Sequence, residues 1–160
     1  MDKGLKREIM TIVDGRIGDR WGELIEELIE GKLIQLLNHR NIKVTSSYKN
    51  EKGSYKDGDS TVEYENDIVA RNGKEVVVVE VKTHLKKDDV DNFLEKLKNK
   101  LNKIPSYKDN KIFGAVAFLK KSDSSDVYAS KNGLFVIKAT GDSAWILNKE
   151  EFKPQNFANN

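Results

Sequence analysis

The chain has 160 residues, 38% apolar and 34% charged, which is enough for one hydrophobic core and too little for two ordinary domains. With 28 Lys and Arg against 26 Asp and Glu the net charge is +2, so overall charge does not diagnose nucleic-acid binding and any basic footprint is local. The absence of cysteine excludes disulfide scaffolds, thiolate zinc sites and cysteine nucleophiles, and with two histidines the carboxylates are the metal ligands that remain.

The longest apolar stretch, Val76-Val77-Val78-Val79, is far below a membrane span, and Met1 to Lys6 has no signal-like apolar core. A soluble cytoplasmic protein without a membrane partner is expected. Residues 1–13 carry Leu5, Ile9, Ile12 and Val13 at helical spacing before Asp14-Gly15 breaks the pattern, giving an N-terminal helical segment over 1–18. One domain is expected over 19–150, and a C-terminal tail over 151–160. Asp19 is placed as the N-cap of a long helix running to about Asn38, with Trp21, Leu24, Ile25, Leu28 and Leu36 on one stripe. Residues 45–61 are polar and glycine-punctuated, so a mobile loop is expected there, although Val44 and Tyr48 fit a strand.

Two β-rich runs then flank Asn72-Gly73, the preferred centre of a two-residue type I′ hairpin, which predicts strands at about 63–71 and 74–82. Val90, Phe93, Leu94, Leu97, Leu101 and Ile104 follow at helical spacing, with Asp88 and Asp89 at the start and lysines toward the end, and Pro105 after it. Ile112 to Leu119 reads as a central strand, 124–131 as a short helix, and Leu134 to Lys138 and Ala144 to Leu147 as further strands. The order predicts an α/β fold with helices packed on a mixed sheet.

If Asn72 and Gly73 are the turn pair, facing residues have numbers that sum to 145, which pairs Asp67 with Val78 and Glu65 with Glu80. Side chains alternate along a strand, so Val76, Val78, Glu80 and Lys82 share a face with Glu65, Asp67 and Val69. Asp67 and Glu80 are then diagonal neighbours, roughly 7 Å apart at the backbone, close enough to share one cation. A solvated hairpin face would present the same residue types. Like charges placed together cost free energy, however, and valines on the same face indicate that something covers it. In the long helix Glu23 sees Glu27 and Glu30, whereas Glu26 is followed by Ile29 and Leu33. Helix spacing alone leaves Glu26 either as an inward carboxylate or as a boundary residue reaching water.

Arg20-Trp21-Gly22-Glu23-Leu24-Ile25-Glu26, then Glu65-Asn66-Asp67-Ile68-Val69, then Val79-Glu80-Val81-Lys82-Thr83 resemble the PD-(D/E)XK nuclease superfamily, in particular its small prokaryotic members of uncharacterised function. The likeness covers roughly residues 19–148, with Asn66 where the pattern often has proline. It implies a restriction-endonuclease-like mixed sheet flanked by helices. It also implies an active site of Glu26, Asp67, Glu80 and Lys82, in which Asp67 and Glu80, with Glu26 directly or through water, hold Mg²⁺ or in its place Mn²⁺. The implied function is a metal-dependent endonuclease of DNA. The alternatives are a catalytically silent module for DNA binding or assembly, and a junction-resolving or RNA-directed nuclease. Cleavage of paired strands would favour a homodimer.

The chemistry of these residue types agrees. Mg²⁺ prefers one or two carboxylates and keeps several waters, and Lys82, about 6.8 Å along the strand from Glu80, is suited to orient or deprotonate water and to stabilise charge on phosphate. Glu65 is expected as a secondary carboxylate, and His84 lies near the strand end. Phosphate contacts are expected from Lys96, Lys100 and Lys103 along one flank of the following helix. That region, residues 83–121, carries ten Lys and five acids. The same lysines also suit a solubilising helix face. The 45–61 stretch, with Tyr48, Lys49, Lys52, Tyr55 and Lys56, either closes over a substrate or is a surface insertion.

Overall fold

The computed structural model describes residues 18–159, with side chains from residue 20. The expected helix over 1–13 and the side chain of Asp19 lie outside the described residues. The fold class is as expected: a mixed α/β structure, with a six-stranded sheet in the order β1-β2-β3-β4-β5-β6 and helices on both faces. Its strands are β1 (Ser46–Asp57), β2 (Ser60–Arg71), β3 (Glu75–Leu85), β4 (Lys111–Lys121), β5 (Phe135–Ala139) and β6 (Ala144–Ile146). β3, β4 and β5 are parallel, and β1, β2 and β6 run antiparallel to their neighbours.

Helix α1 (Gly18–Asn38) covers one face. Its buried stripe is Trp21, Ile25, Ile29, Leu33 and Leu37, which packs on Ile68, Ala70, Val77, Val79 and the odd-numbered residues of β4. The stripe advances by four residues at each step, so Leu24, expected within it, is turned out and is 51% exposed. Helices α2 (Lys87–Asn99) and α3 (Ser125–Lys131) supply the parallel crossovers and cover the other face through Val90, Phe93, Leu94, Leu97 and Ala129. α2 stops short of the expected Ile104. Lys100 leaves helical geometry at φ −132°, and two single 3₁₀ turns, Leu101–Lys103 and Pro105–Tyr107, keep Leu101, Ile104 and Tyr107 in the core. Gly114 of β4 lies beneath α2, where an added Cβ would come within 2.6 Å of Leu97 and 2.8 Å of Leu134. Residues 151–159 run back over the domain: Phe157 is buried, and its N–H donates to Ile112 O at 2.8 Å.

The 45–61 stretch is not a loop. β1 pairs with β2 from Ser46↔Arg71 to Asp57↔Ser60, and Gly58 at φ +64° helps turn the chain between them. An edge strand needs few apolar residues, because its partner's backbone supplies the hydrogen bonds. Tyr55 anchors the far end of this hairpin arm, with its hydroxyl donating to Lys100 O at 2.7 Å.

The β2–β3 hairpin corrects the expected turn and register. Its pairs are Ile68↔Val79, Val69↔Val78, Ala70↔Val77 and Arg71↔Val76, so facing numbers sum to 147. Asn72-Gly73-Lys74 connect the strands, and the turn is not a type I′ pair at Asn72-Gly73. Neither Asn72 nor Gly73 has the positive φ that such a turn requires. Instead Asn72 Oδ1 accepts from the N–H groups of Lys74 at 2.8 Å and Glu75 at 2.7 Å, the local turn chemistry in which asparagine competes with the backbone. A shift of two residues preserves strand parity, so the face assignment survives over the paired residues Ile68–Arg71 and Val76–Val79, and the same register continued by one step would set Asp67 opposite Glu80.

Candidate active site

The β2–β3 ladder ends at Ile68↔Val79, while β2 stays paired with β1 to the tip of the arm and β3 stays paired with β4 as far as Leu85. The sheet therefore splits at Asp67. Here the alternation of β2 also reverses. Val69 belongs to the core beneath α2, but beyond Asp67 the even-numbered Val62 and Tyr64 pack on that core. In β1 the break falls at Asn50, which adopts φ +57°. This is an αL conformation that asparagine tolerates better than most residues.

The split exposes the Val81 N–H to side-chain chemistry. Where a β2 carbonyl would continue the ladder, Asp67 Oδ2 accepts from Val81 N at 2.8 Å, which fixes that carboxylate on β3. Glu80, the preceding residue, points to the α2 side, its side chain 18% exposed, with Lys96 Nζ 3.5 Å from Oε2. Burial raises the Glu80 pKa above the usual carboxylate value. The ammonium groups of Lys96 and Lys82 act against the shift and the neighbouring Asp67 adds to it. Glu26, half-buried on α1, is also raised, first by burial and then by the charge of Asp67, with Glu80 a smaller contributor. Asp67 and Glu80 thus form a close carboxylate pair, and Glu26 on the helix side feels the charge of both.

Among the described residues, no three His, Asp or Glu side chains converge tightly enough to enclose an ion. The donor set nevertheless fits Mg²⁺. It offers hard oxygen ligands of like charge, with one Asp67 oxygen outside the Val81 hydrogen bond. Lys82 shares the face of Glu80, but its Nζ lies 3.9 Å from Asp89 Oδ1. Asp89 Oδ2 accepts from the N–H of Lys86 at 2.9 Å, so the carboxylate that caps α2 also holds Lys82.

The other expected residues are dispersed. Glu65 is exposed and pairs with Lys52 at 3.8 Å. His84 Nε2 lies 2.5 Å from Ser122 Oγ. Lys96, Lys100 and Lys103 do not form one helical flank, because α2 ends before Lys100: Lys96 is turned to Glu80, and Lys103 pairs with Asp57 of the arm at 3.8 Å. Between the arm and α2 runs a groove of about 640 Å³, lined by Lys52, Ser54, Tyr64, Glu65, Lys96 and Lys100.

One polar cluster beside the site is not foreseen by the sequence pattern. Glu51 Oε1 accepts from Asn66 Nδ2 at 3.0 Å and from the Tyr107 hydroxyl, and Oε2 accepts from the Tyr48 hydroxyl at 3.0 Å. Asn66 is 3% exposed and also donates to the Tyr107 oxygen at 3.2 Å. Burial and the Glu51 carboxylate push the Tyr107 hydroxyl far up. The cluster ties the arm to the residue directly before Asp67. Its sequence signal is weak: tyrosines recurring in a stretch otherwise too polar to have a buried side.

No family model and no curated protein matches the chain. Among solved structures it is similar to protein VC1899 from Vibrio cholerae, with a TM-score of 0.51 and 18% identity over 71% of this chain and 29% of that one. It also matches AF1548, a protein of unknown function, with a TM-score of 0.45 and 16% identity over 72% of this chain and 58% of that one. A third match is a repair endonuclease from Pyrococcus abyssi, with a TM-score of 0.36 and 14% identity over 70% of this chain and 46% of that one. The chain therefore spans only 29% to 58% of the length of these proteins. The likeness to VC1899 is one of fold. No helix among the described residues is long and apolar enough to cross a membrane.

Proposed function

We propose that the protein is a divalent-cation-dependent nuclease acting on DNA phosphodiesters, in keeping with its resemblance to the PD-(D/E)XK superfamily. The observation that carries this reading is the meeting of Asp67 and Glu80 where β2 leaves β3, with lysines within reach of the pair. Burial and the neighbouring Asp67 charge raise the cost of ionising Glu80 at this break in the sheet, an arrangement that surface chemistry alone does not favour.

In this reading Asp67, Glu80 and, through water, Glu26 hold Mg²⁺ or Mn²⁺. The ion would polarise the scissile phosphodiester and lower the pKa of an attacking water. Asp67 keeps one oxygen on the Val81 N–H, so its other oxygen is aimed by the strand rather than by a free rotamer. Lys82, released from Asp89, would orient the water by donating to it and, as an ammonium, offset the charge growing on phosphate. DNA is the partner in this account, and paired-strand cleavage would place two copies about a two-fold axis.

A specific observation favours a second reading. With Lys82 on Asp89 and Lys96 on Glu80, the charges are already internally paired, as a silent DNA-binding or assembly module would have them. Incubation of the purified chain with linear, branched and single-stranded DNA, in EDTA and in Mg²⁺ or Mn²⁺, separates the two. Metal-dependent cleavage abolished by Asp67→Asn and Lys82→Ala supports the nuclease. Binding without cleavage of any of these substrates supports the silent module, and wild-type cleavage by either variant removes the mechanism.

A further inference from the structure

Glu80 is matched by a cation in the wrong place for the role that the sequence gives that cation. The sequence places Lys96 on an outward flank, but its Nζ lies 3.5 Å from Glu80 Oε2, with only 34% of the lysine side chain and 18% of the glutamate side chain exposed. Lys82, which belongs to the same strand face as Glu80, is drawn instead to Asp89. A divalent ion seated on Asp67 and Glu80 would set two cations against one Glu80 carboxylate at contact distance, and the like charges repel strongly in a partly buried setting. Lys96 has somewhere else to go. Its side chain also lines the groove between α2 and the arm, with Lys100 on the same wall and Lys52 and Tyr64 facing them, and a lysine stem is long and flexible.

Resting on the nuclease reading above, we propose that Lys96 is an exchangeable counter-ion. It neutralises Glu80 in the ion-free protein, yields Glu80 to the divalent cation, and then contacts a phosphate of a nucleic-acid strand lying in the groove. The exchange couples the two ligands. The ion frees a positive charge for the strand, and the strand holds that charge away from the ion, so each strengthens binding of the other. Lys100 differs: it lines the groove, while the ion pair on Glu80 is made by Lys96, so Lys100 serves the strand alone.

Calorimetric titration with Mn²⁺ tests the first half on wild type, Lys96→Met, Lys96→Arg, Lys100→Gln and Asp67→Asn. Lys96→Met is expected to bind Mn²⁺ about tenfold more tightly than wild type, since its competitor is gone, and Lys96→Arg to return to the wild-type value. Anisotropy of a labelled oligonucleotide in Ca²⁺ tests the second half. Lys96→Met should bind it several-fold more weakly despite its tighter ion site, and Lys100→Gln should weaken the oligonucleotide while leaving Mn²⁺ affinity unchanged. Mn²⁺ affinity in Lys96→Met equal to or below wild type would overturn the exchange, and so would oligonucleotide binding undiminished in that variant. If wild type takes up no Mn²⁺, or Asp67→Asn takes up as much, it is the metal site of the underlying reading that fails.

Discussion

Replacing Glu80 by glutamine should make the ion-free protein more stable, against the usual expectation that loss of an ion pair destabilises. At 3.5 Å the Lys96–Glu80 pair would attract by about 5 kcal/mol at an effective dielectric of about 20. The carboxylate also gives up several kcal/mol of hydration in becoming buried, and the Asp67 charge repels it. The raised pKa of Glu80, with burial its largest cause, gives the sign of the balance: the folded protein favours the neutral form. That direction fixes the sign, and a neutral isostere should gain about 1 kcal/mol, the usual scale of a single substitution, or about 2–4 °C in Tm for a chain of this size. Between the unfolded and the folded pKa the native state binds more protons, so stability falls as pH rises through that window. The advantage of Glu80→Gln is therefore full above the folded pKa of Glu80 and disappears below the ordinary value of 4.5. Thermal melts in EDTA at pH 8 and at pH 4 read both ends. With Mg²⁺ at a hundred times its Kd, wild type should gain about 2.7 kcal/mol and the variant much less. A Glu80→Gln protein that melts below wild type at pH 8 in EDTA would refute the reasoning and make Lys96–Glu80 a structural salt bridge. Equal Mg²⁺ responses would refute the metal site.

Changing Lys96, Lys100 and Lys103 together to glutamine should weaken DNA binding with little dependence on sequence, and flatten the log–log salt slope by about 0.9 for each phosphate left without its lysine; an unchanged slope in anisotropy titrations would place DNA elsewhere. Tyr107→Phe should cost about 1–3 kcal/mol in urea unfolding, because the partly buried Glu51 carboxylate loses a donor and Asn66 an acceptor. It should also lower hydrogen-exchange protection in the β1–β2 arm more than in β4. Gly114→Ala should cost about 1–3 kcal/mol in the same urea assay by forcing Leu97 and Leu134 apart.

The helices and the central sheet are readable in the sequence because their burial is regular. The apolar run over Ile112 to Leu119 and the periodic α2 residues need no tertiary information to be placed. The errors fall where a local preference is overruled. Asn72-Gly73 favours a two-residue turn centred on that pair, but the Asn72 side chain closes the 72–74 connection by taking two backbone donors. The register moves by two and the face assignment stands between Asp67 and the turn, because parity is insensitive to an even shift. A shift of one would have sent Glu80 and Lys82 to the α1 face. The arm reads as a loop because its strands have no simple alternation. Its pattern reverses at Asn50 and Asp67, so no single period runs through it.

The pairing of charges is the least legible feature, and the reason is geometric. Strand and helix periodicity fix where a side chain leaves the backbone, whereas Lys and Glu choose partners with several rotatable bonds beyond that point. Thus Lys82 reads as facing Glu80 and lies on Asp89, Lys96 reads as facing solvent and lies on Glu80, and Glu65 reads toward the site and lies on Lys52. Asp67 is the exception that explains the rule. Its carboxylate is short, its strand ends its ladder there, and one backbone N–H of β3 holds it, so little conformational freedom is left to misread. The site thus has one rigid acid with several mobile cations around it. Under the proposed nuclease reading, the fixed group would define where an ion sits, and the mobile groups would change partners when ion and phosphate arrive.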